Sequence, residues 1–114
     1  MITLFLGTPD RRACEGAWSF ENVEKTGVAV GYGLSPEQFD SLQDALESGS
    51  DVDVVVTRKD RRKSRAVGRL AKLEPTGRWA GYRQRYDVHM ETGGLKRTPY
   101  EPGPPLDHWA VEVI

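Results

Sequence analysis

Apolar residues along this chain recur mostly at every second position, the period of a half-buried strand. "ITLFLG" at 2–7 predicts a first strand that Pro9-Asp10 breaks. "AWSFENV" at 17–23 sets Trp18 and Phe20 on one face against Ser19 and Glu21 on the other. After the turn "EKTG", "GVAVGYG" at 27–33 alternates Val28, Val30 and Tyr32 with Ala29 and Gly31, so the two runs predict a hairpin.

The period changes once. In "LSPEQFDSLQDALESGS", Phe39, Leu42, Ala45 and Leu46 recur at helical spacing. Ser35 can cap the N-terminus, Pro36 suits the first helical position, and Gln38 completes a capping box. Glu37 and Asp40 suit the positive end of the helix dipole, and Gly49 is a fitting stop. These signals predict a helix over 36–48, anchored by Phe39, with an acidic outer face of Glu37, Asp44 and Glu47.

Period 2 then returns. "DVDVVVT" at 51–57 is β-branched and predicts a strand buried on at least one face. "SRAVGRLAKL" at 64–73 predicts the next, with Gly68 a candidate bulge, and "EPTGRWAG" at 74–81 has turn chemistry. "YRQRYDVHM" at 82–90 alternates Tyr82, Gln84, Tyr86, Val88 and Met90 with Arg83, Arg85, Asp87 and His89. A Pro-rich loop spans 92–107, and "HWAVEVI" predicts a last strand with Trp109, Val111 and Val113 facing the core. The expected fold is α+β and mainly β: an antiparallel curved sheet or small, partly open barrel of about seven strands. One helix, 36–48, lies between strands three and four.

The length of 114 residues fits a single domain over 1–114, able to bury roughly two thirds of its unfolded surface. A lone cysteine, Cys14, excludes an internal disulfide. The apolar opening is too short for a signal core or a membrane span, so the expectation is a cytoplasmic protein with no membrane partner.

Charge changes the picture more than composition does. The net charge is −1, but residues 1–57 carry ten acids against three bases, and residues 58–85 carry eleven bases against two acids. Arg58, Lys59, Arg61, Arg62 and Lys63 fall at the connection between two predicted strands, and Arg65, Arg69 and Lys72 follow along the second. If the 82–90 strand pairs beside it, Arg83 and Arg85 extend a positive stripe. Phosphates attract such a stripe through charge and counterion release. Trp79, Tyr82 and Tyr86 lie near it in sequence, and an exposed aromatic beside cations can stack on an unpaired base. The competing readings are a solvated hairpin, or cations paired with the protein's own acidic helix.

No catalytic set emerges. Cys14 with His89 or His108 matches no nucleophile signature. Asp51 and Asp53 share a strand face, which more often marks a solvated strand start than a cation site. Gly31-Tyr32-Gly33 precedes a helix but lacks the third glycine and the lysine of a phosphate-binding loop. "KRTPYEP" at 96–102 carries the proline spacing of polyproline ligands, a pattern common by chance.

The sequence therefore predicts a small non-enzymatic binding module without cofactor or metal. Its basic hairpin would contact a DNA or RNA backbone with weak sequence preference. The alternative is a protein-interaction or inhibitor module that holds an acidic protein surface, or a second copy of itself, through opposed acidic and basic surfaces.

Overall fold

Among the described residues, strands and helices alternate in the first half of the chain and then give way to strands alone, seven strands and two helices in all. They are β1 (Ile2–Thr8), α1 (Phe20–Thr26), β2 (Val28–Leu34), α2 (Pro36–Glu47), β3 (Val52–Arg58), β4 (Arg65–Ala80), β5 (Arg83–Met90), β6 (Lys96–Thr98) and β7 (Val111–Val113). The structure is a computed structural model that describes residues 2–8, 20–58, 65–91, 95–98 and 111–114. Of residues 58, 65, 97 and 98 it describes the backbone alone.

The protein is mainly β, as the alternation predicts. Six strands run in the order β2-β5-β4-β3-β1-β7, and β6 pairs with β4 off that path. The sheet is a curled, open half-barrel. Leu4, Leu6, Val52, Val54, Val56, Ala66, Leu70, Leu73, Tyr86, Val88 and Met90 line its inner face, where α1 and α2 add Phe20, Val23, Leu42 and Ala45. The curl brings the edge strand β2 toward β1, which lies next to the opposite edge: the Tyr32 hydroxyl on β2 donates to the Gly7 carbonyl on β1 at 3.0 Å, buried.

Several predicted elements are corrected. The segment read as a strand over 17–23 is helical from Phe20 onward, so there are two helices rather than one and no β hairpin at 17–33. Phe20 and Val23, three residues apart, form the buried helical face. Gly27, at φ 72°, ends α1 in the left-handed conformation that glycine adopts without strain. The sheet is not wholly antiparallel, because β1 and β3 run parallel in register from Ile2–Val52 to Thr8–Arg58. The connection between them, through α1, β2 and α2, has the length that a parallel crossover requires.

β4 runs to Ala80, through residues whose Pro and Gly suggest a turn. Its pairing with β5 shifts register between Pro75 and Trp79, and Gly77 there takes φ 78°. The turn chemistry thus makes a bulge within a strand. Gly68 is not a bulge; its pairing with Val54 is regular. A Cβ at Gly68 would lie 2.9 Å from Leu95 Cδ2, so the missing side chain makes room for Leu95. The alternation expected of β2 breaks at Val30–Gly31, where the register with β5 shifts, so Ala29 and Tyr32 both face inward.

α2 forms as its signals predict. Ser35 Oγ accepts from the Gln38 N–H at 3.2 Å, and Gln38 Oε1 accepts from the Ser35 N–H at 3.0 Å. The predicted anchor is corrected, however. Leu42 is fully buried, whereas Phe39 is half-buried and stacks on Tyr86 with ring centroids 4.8 Å apart. Leu42→Ala should therefore cost about 2–5 kcal/mol and exceed the loss from Phe39→Ala, whose cavity opens toward solvent. Paired thermal melts check this, and the reverse ranking would restore Phe39 as the anchor.

Candidate functional site

Of the ten basic residues singled out in the sequence, Arg69, Lys72, Arg83 and Arg85 have described side chains, and each of these is engaged with a neighbour. Thr8 pairs with Arg58 across β1 and β3, and Thr57 pairs with Arg65 across β3 and β4. The run Arg58, Lys59, Arg61, Arg62, Lys63 and Arg65 therefore connects two adjacent strands at one end of the sheet. Lys59, Arg61, Arg62 and Lys63 themselves lie outside the described residues.

The structure adds two cations to that end which the sequence reading missed. β6 pairs with the start of β4, Arg65 opposite Thr98, Ala66 opposite Arg97 and Val67 opposite Lys96. Lys96 is exposed. Arg58, Arg65, Arg97 and Lys96 thus sit on three adjacent strands, and with the connecting residues they make eight bases against one acid, Asp60. The only sequence signal was the pair Lys96-Arg97 within a Pro-rich segment.

The remaining cations are engaged elsewhere. Arg69 meets Asp51 at 3.4 Å, and Lys72 meets Glu74 at 3.3 Å. All four side chains are more than half exposed, so each pair contributes about 0–1 kcal/mol and can exchange partners. These acids lie beside β3 and on β4, not on the acidic face of α2. Arg83 donates from Nη1 to Gln38 Oε1 at 3.1 Å, and so ties β5 to the first turn of α2. Arg85 Nη1 donates to the Gly31 carbonyl at 2.8 Å, while the Gly31 N–H donates to Asp87 Oδ1 at 3.1 Å. Arg85 and Asp87 therefore clamp the β2 bulge through the carbonyl and the N–H of one residue, Gly31, a structural task.

The aromatic residues divide as well. Tyr86 is core: burial first, and then the charge of Asp40, push its phenol above the ordinary 10.0, and its hydroxyl donates to Gln84 Oε1 at 3.1 Å. Trp79 and Tyr82 are 62% and 68% exposed. They stand at the β4–β5 turn, at the opposite end of β4 from Arg65.

The other candidates lose force on these grounds. The N–H groups that could cradle a phosphate ahead of α2 are taken by Ser35, Gln38 and Asp87. Asp51 faces Arg69. Among the described residues no group of three or more His, Cys, Asp or Glu could hold a metal ion. His89 Nε2 is buried without a hydrogen-bond partner, 3.9 Å from Glu74 Oε1. Cys14 and His108 lie outside the described residues, as does the polyproline pattern beyond Thr98. No described helix is long and apolar enough to cross a membrane. No protein-family model matches the chain, and no curated protein matches it.

Proposed function

We propose that the protein is a non-enzymatic binding module whose basic sheet end contacts a nucleic-acid backbone with weak sequence preference. The observation that carries this reading is the pairing of β6 on β4, which sets Lys96 and Arg97 beside the 58–65 run. Charge gathered from two chain segments at one end of the sheet offers a phosphate backbone several cations. Such contacts position a nucleic acid without reading bases.

The test is a pull-down of the full chain from its host, with and without nuclease, together with the absorbance ratio at low and high salt. Copurifying nucleic acid that salt strips away supports the reading. A stoichiometric protein complex that survives nuclease moves the basic end to an acidic protein partner. Within this reading, Lys96→Gln with Arg97→Gln should weaken binding to all sequences alike and flatten the slope of log affinity against log salt by about one to two units. Anisotropy with labelled oligonucleotides measures both effects, and an unchanged slope would remove β6 from the interface.

A further inference from the structure

We infer that the β4–β5 turn is a stacking platform for unpaired bases, so that the preferred ligand is single-stranded nucleic acid. This rests on the proposed backbone contact and adds to it the strandedness of the ligand. Trp79 and Tyr82 are two of the three large hydrophobic side chains that stand exposed among the described residues. Tyr82 lies in the two-residue turn Gly81–Tyr82, in which Gly81 takes φ 63° and which the Ala80–Arg83 pair closes, and Trp79 precedes that pair on β4.

The turn is held in place. The Thr76 hydroxyl donates to the Arg85 carbonyl at 2.9 Å, and the Arg78 N–H donates to Thr76 Oγ1 at 3.1 Å. Arg83 is anchored on Gln38, and its guanidinium lies 5.5 Å from the Tyr82 ring centroid. Two rings are thereby presented on a pinned bulge, with little ordering left to do on binding.

The surroundings favour a base over a protein partner. The neighbours of the two rings in the chain are Gly77, Arg78, Ala80, Gly81 and Arg83, and Trp79 pairs with Gln84. A protein hot spot is ringed by contacts that exclude water, whereas besides these two rings only Ile114 is a large hydrophobic side chain exposed among the described residues. The indole of Trp79 and the face of Tyr82 away from Arg83 suit bases, each of which offers a π face and trails a phosphate. The platform lies at the far end of β4 from Arg65, so base stacking there and charge at the basic end are separate contacts. A duplex hides its base faces and could engage only the basic end.

Anisotropy of the full chain with a labelled oligothymidylate of about 16 nucleotides, and with a duplex of equal length, tests this. Wild type should bind the single strand more tightly. Trp79→Ala with Tyr82→Ala should weaken single-strand binding by about tenfold to a few hundredfold and leave duplex affinity unchanged. Trp79→Phe with Tyr82→Phe should retain most of the affinity, and all variants should melt like wild type. Equal binding of both ligands by wild type and by the alanine variant overturns the platform while the charge-based reading stands. Binding of neither ligand overturns both. Nuclease-resistant capture of a protein that depends on Trp79 and Tyr82 assigns the surface to that partner instead.

Discussion

Tyr32→Ala is expected to lower the melting temperature by about 15 °C, the largest loss from a single substitution in this fold. Tyr32 is 1% exposed and heads the fully buried side chains by size. Removing a buried aromatic typically costs about 3–5 kcal/mol, and each kilocalorie is worth roughly 4 °C in a domain this small. Its hydroxyl is also the bond that draws β2 toward β1 across the open side of the curl. Tyr32→Phe isolates that contribution: the ring stays, but the buried Gly7 carbonyl loses its donor. A cost of about 1–3 kcal/mol is expected. Thermal melts of the two variants separate packing from closure. A phenylalanine variant that melts like wild type would show that the hydroxyl contact does not hold the curl.

The same residue marks where the sequence could be read and where it could not. Tyr32 was legible as a strand residue, but its inward direction depends on the bulge at Val30–Gly31, which strict alternation cannot express. α2 was legible because its signals are local: Ser35, Pro36 and Gln38 act on their own turn. α1 was not, because a seven-residue helix offers one buried pair at helical spacing, Phe20 and Val23, while Trp18 and Phe20 suggest alternation. Pairings between distant segments were the least legible. Nothing near Lys96 announces β6; its strand exists because Arg65–Val67 offers a free edge, and Leu95 seats against Gly68. The parallel β1–β3 pair is non-local in the same sense.

The candidate site follows this division. The basic run was visible as composition. Its extension along β4 to Arg83 and Arg85 leads past Glu74 and Asp87, which pair across β4 and β5, and the two arginines hold Gln38 and the Gly31 carbonyl there. Sequence distance suggested that Trp79 and Tyr82 adjoin the run, and the long strand carries them to its far end. A charge pattern reports which residues are available, whereas strand register decides which of them meet.

The most direct test of the central claim is the salt dependence of binding when the run alone is neutralised. Arg61→Gln, Arg62→Gln and Lys63→Gln together remove three of the eight cations at the basic end. Each phosphate contact contributes about −0.9 to the slope of log affinity against log salt on a duplex, and about −0.7 on a single strand. The triple variant should flatten the slope by roughly two to three units and weaken binding about equally for unrelated sequences. Its melt should match wild type, since a charged connection between strands contributes little to a core. Anisotropy at several salt concentrations supplies the slope. A slope flattened by that amount, with the fold intact, is the result the account predicts. No detectable binding by wild type at low salt to any duplex or single strand, or an unchanged slope in the triple variant, would contradict it.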